Sequence, residues 1–371
     1  MQIGPLTLDV PVVLAPMAGV TNAPFRRLCR AQGAGLYVSE MITARAYVEG
    51  NAKTQRMAHF DDDEPLRSIQ LYGIDAYHVG EAVRRLVETD HVDHIDLNFG
   101  CPAPKVTKNG GGSALPVRKR LLRDIIAAAV AGAGPVPITA KFRMGIDDDH
   151  PLTFLETGRI AEDEGCAMVA LHARTAEQLY SGDARWEAIG ELKQHVTSIP
   201  VLGNGDIWDA SDAVAMMAAT GCDGVVVGRG CLGRPWLFRD LVAAFEGRDV
   251  PPPPTLGEVC DTMIRHIDLL IAWAGGWLGV REFRKHTGWY LKGYPVGSEV
   301  RRELNQLQSR DQLADTLGRL DRSLRMTPEG PRAKRGHQNG PRTVSLPDRW
   351  FELADSDEAL SAAAESVSSG G

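Results

Sequence analysis

Nowhere in the 371 residues do eighteen apolar residues run together, so no membrane-spanning helix is predicted. The opening MQIGPLTLDV lacks the charged-then-apolar pattern of a secretory leader, and a cytoplasmic protein is expected. The six cysteines, Cys29, Cys101, Cys166, Cys222, Cys231 and Cys260, contain no C-x-x-C pair. Neither a zinc knuckle nor an iron–sulfur framework is signalled, no metal site is expected, and the thiols read as free. Positive charge is not in excess either. A formal net charge of −7 argues against indiscriminate nucleic-acid binding and obliges any polyanionic partner to meet a local basic patch. What remains is a chain of ordinary hydrophobic content, 43%, long enough for one large α/β domain and a smaller one.

Short β-branched runs recur with amphipathic helical stretches between them. Strands are predicted at 12–16, 35–39, 67–71, 93–98, 136–142, 167–172, 199–203 and 223–228. Helical patterns at 76–88, 119–131, 153–164, 185–196 and 210–220 fill gaps between them, with Gly165 and Gly221 at helix C-termini. Eight strand–helix units predict a parallel (β/α)8 barrel, a TIM barrel, over residues 1–250. A doubly wound open sheet fits less well, because its polar residues would gather at one switch point. Here Met17, Glu40, Gln70, Asn98, Lys141, His172, Asn204 and Gly228 each sit at or just past a strand's C-terminal end, and in a barrel those ends share one mouth.

The most informative stretch is DHIDLNFGCPAPKVTKNGGGSAL, residues 93–115. A buried strand ends at Asn98 and hands Cys101 to a loop stiffened by Pro102 and Pro104, charged by Lys105 and Lys108, and closed by Gly110, Gly111 and Gly112. A free cysteine is most often a small buried hydrophobe. This company favours a chemical role. Farther on, GNGDI at 203–207 and GRGCLGRPW at 228–236 supply glycines whose amides can approach an anion, with Arg229 to add charge. GRGCLG also fits the dinucleotide fingerprint G-x-G-x-x-G, but it opens no βαβ unit and Rossmann binding is rejected.

Four prolines at 251–254 mark a domain boundary, and 255–326 reads as a small all-helical domain. Its centre, VREFRKHTGWYLKG, interleaves Arg281, Arg284, Lys285, His286 and Lys292 with Phe283, Trp289 and Tyr290. Cations and aromatics together suit a structured nucleic acid, although an amphipathic helix with a solvated basic face is the simpler reading of those residues alone. Residues 327–371 read as a disordered tail, with VSLPDRWFEL as a loosely docked stub.

Together APMAGVTNAPFR, DLNFGCPAPKV with GGGSAL, KFRMG, LHARTAEQLYSG, GNGDI, GRGCLGRPW and REFRKHTGWYLKG closely resemble the bacterial tRNA-dihydrouridine synthases, most like the B-type group, over roughly residues 1–325. The resemblance implies an FMN-bound barrel, a helical tRNA-binding domain, and NADPH or NADH as reductant. It implies that Pro16, Met17 and Ala18 line the flavin, that Gln70 and Lys141 bond its ring edge, and that His172 packs near the rings. Asn204, Gly205, Asp206, Gly228 and Arg229 would hold the phosphate. Asn98 and Arg143 would meet the target base, and Lys105 and Lys108 the RNA backbone. Arg281, Arg284, Lys285, His286 and Lys292 would extend that RNA surface. No obligate protein partner is indicated.

Reducing the C5–C6 bond of uracil takes a hydride at C6 and a proton at C5, and Cys101 suits the role of acid because an ordinary thiol is mostly protonated at neutral pH. The middle glycine of GGGSAL departs from the family's more usual alanine, and a looser loop is expected. Two rivals stand beside this expectation. A small-molecule flavin reductase of the dihydroorotate or dihydropyrimidine dehydrogenase type leaves the basic aromatic helix unexplained. A non-catalytic tRNA-binding protein leaves Cys101 and Lys141 unexplained.

Overall fold

In the computed structural model, which describes residues 1–33, 35–336, 340–356 and 360, the chain opens with a two-stranded antiparallel hairpin, β1 (Gln2–Ile3) and β2 (Leu6–Thr7). Parallel strands follow: β3 (Val12–Leu14), β4 (Leu36–Tyr37), β5 (Met41–Thr43), β6 (Ser68–Tyr72), β7 (His94–Phe99), β8 (Ile138–Arg143), β9 (Met168–His172), β10 (Val201–Asn204) and β11 (Gly224–Val227). Their order is β4-β3-β11-β10-β9-β8-β7-β6-β5. The two edges of that sheet, β4 and β5, are separated by only Val38, Ser39 and Glu40. One interrupted strand therefore closes the ring, its first half on β3 and its second on β6, while the Ser39 amide bonds the Ser68 carbonyl at 3.0 Å across the gap. The eight expected strands are all present and form a (β/α)8 barrel.

The helices lie outside the strands. They are α1 (Ala23–Arg30), α2 (Ala44–Val48), α3 (Ala52–Ala58), α4 (Ala76–Glu88), α5 (Pro104–Thr107), α6 (Lys119–Ala133), α7 (Phe154–Asp163), α8 (Trp186–His195), α9 (Ala210–Thr220) and α10 (Leu237–Phe245). Strand side chains alternate between two faces. Outward residues such as Ile95, Leu97 and Phe99 pack on the helices, in one core with Leu122, Ile126 and Leu241. The inward residues divide into two halves. Val13, Ala15, Leu36, Val38, Met168, Ala170, Leu202 and Val226 make one half apolar, and Ile3 and Leu8 of the hairpin segment plug it from below.

The other half, from β6, β7 and β8, is a continuous polar chain. Ser68 Oγ meets His94 Nδ1 at 2.8 Å, and His94 Nε2 meets Thr139 Oγ1 at 2.9 Å. Thr139 donates to Asp96 Oδ1 at 2.7 Å, and Gln70 Nε2 donates to Asp96 Oδ2 at 2.8 Å. Asn98 Nδ2 in turn donates to Gln70 Oε1 at 2.7 Å. Polar side chains survive burial here because each is bonded to the next.

Beyond the prolines come α11 (Leu256–Ala274), α12 (Gly276–Tyr290), α13 (Gly297–Asn305) and α14 (Arg310–Gly318) around their own core. Thr255 and Glu258 start α11 with reciprocal capping bonds. The seat of α12 on the barrel is close. Gly233, at φ +65°, leaves so little room that a Cβ there would lie 2.3 Å from the Trp289 carbonyl carbon and from the Tyr290 nitrogen. Arg26 on α1 grips Glu64 through Nε at 2.6 Å and Nη2 at 2.8 Å, with both side chains nearly inaccessible.

The C-terminal segment is not free chain where it is described. The Thr327 amide bonds Gly293, Arg335 is buried and donates to the Lys292 carbonyl at 3.1 Å, and the Arg342 amide bonds the Glu177 carbonyl at 2.9 Å. Trp350 is 2% exposed, donates to the Ala114 carbonyl at 2.9 Å and packs with Ile146 and Val117. Expecting a disordered tail is thereby corrected for 327–336 and 340–356. Residues 361–371 lie outside the described part.

Candidate active site

A cavity of about 610 Å³ opens at the C-terminal ends of the barrel strands, within the size range of cofactor sites. Every residue expected at the cofactor lines it: Pro16, Met17, Ala18, Gln70, Lys141, His172, Asn204, Gly205, Asp206, Gly228 and Arg229. Cys101, Asn98, Arg143 and Lys285 line it too.

Cys101 is held by its neighbours' backbone. Asn98 Oδ1 accepts from the Gly100 amide at 3.1 Å and the Cys101 amide at 2.9 Å, while the Ser113 amide donates to the Cys101 carbonyl at 3.0 Å. Gly112 makes that return possible, since at φ +55° a Cβ would fall 2.5 Å from the Cys101 oxygen. Gly111, the unusual residue of the triplet, is boxed in, and a Cβ there would stand 3.0 Å from Tyr72 and 3.1 Å from Ile74. The structure gives a tight fit at that position and no looseness. Burial pushes the Cys101 thiol up, against opposing pulls from the Ala103 amide, Arg143 and Lys105. It is a thiol at neutral pH. The other five cysteines are buried and free.

The floor is cationic. Lys141 Nζ donates to Asn204 Oδ1 at 2.9 Å, and Asn204 Nδ2 is fixed on the Val226 carbonyl at 2.7 Å. Burial lowers Lys141 to about 8, with Arg143 adding to the shift and Asp96 opposing it. Arg143 bonds the carbonyls of Gly100, Thr175 and Leu179 at 2.9–3.1 Å and is lowered by burial to about 10. Burial first, then the charges of Arg143, Lys141, Arg174 and Arg229, drive His172 far down, so its ring is neutral. Asn204 thus orients Lys141 rather than facing a phosphate, and Asn98 spends its amide on Gln70 and the Cys101 loop.

At one end, Arg229 lies over Tyr180 at 4.4 Å and Trp208 at 5.0 Å. Asp206, at φ +53°, binds Arg174 at 2.6 Å and the Ala184 amide at 2.7 Å, with Arg229 at 3.4 Å. Its carboxylate is occupied, which leaves only its backbone to face an anion. Arg174 Nη1 is buried with no hydrogen-bond partner among the described residues. A Cβ on Gly228 would project toward Ala15 and Met17, at 3.6 and 3.8 Å, into the cavity's own lining. Lys141, bonded among the described residues to a neutral amide, Arg229 on the cavity wall, and Gly205 and Gly228 are the donor set an anionic cofactor requires, and a flavin phosphate and ring edge fit it. Sequence reading missed Arg174, Tyr180, Trp208 and Asp96. The LHARTAEQLY and GNGDIW strings contain the first three, but only the fold brings them together.

The expected RNA surface is rearranged. His286 is fully buried between Phe25, His266 and Trp289, and neither ring nitrogen has a hydrogen-bond partner among the described residues. Its assignment to tRNA is corrected, because Phe283, His286, Thr287 and Tyr290 form the inward stripe of α12. Arg284 is tied to the Leu307 carbonyl at 2.6 Å, and Lys292 to the Lys334 carbonyl. Lys105, Lys108 and Arg281 are exposed outside the cavity lining, and Trp289, unlike Phe283 and Tyr290, reaches the mouth. Among the described residues no helix is long and apolar enough to cross a membrane, and no group of three metal-ligating side chains occurs.

Residues 13–324 match the protein-family model described as dihydrouridine synthase. A probable tRNA-dihydrouridine synthase of Mycobacterium tuberculosis is 54% identical over 381 residues, spanning 100% of this chain and 97% of the relative. The tRNA-dihydrouridine synthase B of Pseudomonas syringae pv. tomato is 43% identical over 309 residues, spanning 83% and 90%. Among solved structures, histamine dehydrogenase from Rhizobium shares the fold, with a TM-score of 0.53 at 14% identity over 87% of this chain and 64% of that one. The family match stops before the C-terminal segment that reaches the mouth.

Proposed function

As a member of the dihydrouridine synthase family, the chain is a flavin-using oxidoreductase that makes dihydrouridine in tRNA, and we propose that Cys101 is its proton donor. The observation that carries this reading is the meeting, in one cavity, of a protonated thiol with a floor bearing Lys141 and Arg143. FMN is the flavin that suits the glycine cradle at Gly205 and Gly228 with Arg229 beside it. When bound, the reduced flavin supplies the hydride to C6 of the uracil.

The protein's own residues do the rest. Asn98 and Gly112 hold the Cys101 loop, and the thiol delivers its proton to C5 of a base turned out of its stack. Lys141 keeps positive charge at the floor, where negative charge must be stabilised, and Asn204 aims it. Gln70 is fixed between Asp96 and Asn98, so its amide presents one orientation to the cavity. His172 stays neutral, a packing wall and not an acid. Arg143 braces the loops around the base. Lys105, Lys108 and Arg281 remain candidates for RNA phosphate contact. NADPH or NADH would reduce the flavin, and a cytoplasmic location would suit a tRNA substrate.

The test combines absorption spectroscopy with product analysis. Purified protein is expected to be yellow, bleached by NADPH and reoxidised by unmodified tRNA, with dihydrouridine found by mass spectrometry. Cys101→Ala should keep flavin and tRNA while product formation falls on the order of 10²-fold or more. Near-normal dihydrouridine from that variant would remove Cys101 from the role. A yellow protein indifferent to tRNA would favour a small-molecule flavin reductase.

A further inference from the structure

The C-terminal segment passes beside the loops that frame the cavity. Arg332 pairs with Asp209 at 2.6 Å and Asp212 at 2.7 Å, at the start of α9. Gly336 lies against Arg229 and Leu232, so that a Cβ on it would stand 3.4 Å from Arg229 and 2.9 Å from Leu232. The Arg342 amide is anchored on Glu177, in the loop after β9. Phe351 stacks on His150 beyond β8 at 3.7 Å, and Trp350 reaches the turn that follows the Cys101 loop. A segment pinned at this many points presents its side chains in fixed places.

Two of those side chains, Arg342 and Thr343, form part of the cavity wall. Both are exposed at its rim, and the Arg342 guanidinium has no acceptor among the described residues. An arginine whose backbone is anchored at the edge of a cavity, and whose guanidinium has no acceptor among the described residues, is suited to a phosphate that approaches from outside.

We propose that Arg342 is an RNA-backbone contact, with the C-terminal segment forming one bank of the channel through which the target nucleotide enters. This rests on the tRNA reading above. A phosphate of the nicotinamide reductant has the same chemistry. RNA is favoured because a substrate far larger than the cavity must cross its rim, where Arg342 stands, whereas Arg229 lines the interior. Trp350 and Arg332 hold the segment and need not touch the substrate.

The test uses flavin-loaded full-length protein. Arg342→Gln should weaken tRNA binding on the order of tenfold at low salt and make the slope of log affinity against log salt shallower by about 0.7 to 0.9, the signature of one lost phosphate contact. Flavin content and the rate of reduction by NADPH should not change. Arg349→Gln, in the same segment but paired with Glu352 and outside the cavity lining, should leave tRNA binding unaltered. Unchanged affinity and slope in Arg342→Gln, with the wild type still making dihydrouridine, would overturn this proposal alone. Equal losses in both variants would replace the specific contact by a general field. A raised KM for NADPH with tRNA binding intact would assign Arg342 to the reductant. A wild type that binds no tRNA would overturn the proposal and the functional reading together.

Discussion

Lys141 offers a prediction with two opposite slopes. Its ammonium is charged in the unfolded chain up to about pH 10, whereas in the flavin-free fold burial brings it down to about 8. Between those values the unfolded state binds more protons, so stability of the flavin-free protein should rise with pH. Below about 8 the buried cation costs on the order of 3 kcal/mol, and the cost is relieved as it deprotonates. Flavin affinity should run the other way, because only charged Lys141 stabilises an anionic ring edge. Affinity scales inversely with one plus the ratio of neutral to charged lysine, and with the midpoint near 8 this predicts roughly a tenfold loss between about pH 7 and 9. Titrating flavin-free protein with FMN by fluorescence quenching, alongside urea unfolding at each pH, measures both. Lys141→Met should flatten the two curves together. A flat affinity profile in the wild type, or the same profile in the variant, would refute the role given to this charge.

Gly112→Ala should leave a folded, yellow protein whose kcat falls roughly 10- to 100-fold, because the new methyl collides with the Cys101 carbonyl and moves the loop. Gly50→Ala, at φ +75° with open space around it, is the control: single-turnover rates should be unaffected, and only about 1 kcal/mol of stability should be lost. Glu64→Gln strands Arg26 as a buried charge. Chemical denaturation should show about 3–5 kcal/mol of lost stability, and a loss under 1 kcal/mol would mean that water reaches Arg26.

The barrel was legible because short β-branched runs recur eight times between helical stretches, and six of them end at or beside a polar residue, Glu40, Gln70, Asn98, Lys141, His172 or Asn204. Helices 76–88 and 210–220 were equally plain from their period and caps. The interruption at Val38–Glu40 was not, since it depends on Glu40 turning to accept the Gly19 amide rather than on any local breaker. The short α2 and α3 lack the length that periodicity needs. In the site, residues at strand ends were foreseeable individually, but their partners were not: Asn204 and Asp206 read as phosphate ligands until Lys141 and Arg174 were found to occupy them. His286 was misplaced although its spacing from Phe283 and Tyr290 already marked a buried stripe. Trp350 docks on residues 236 positions away, and no local pattern announces such a partner.

Gly233 settles where deformation can occur when substrate arrives. The backbone of α12 rests directly on the loop after β11 at Gly233, with no side chain between them at that point. A seat this close resists sliding of α12 over the loop, so the nucleic acid is expected to supply the change of shape. The cost of unstacking the target nucleotide falls on the tRNA, so a transcript whose loop is already open should be a better substrate than one whose loop is locked.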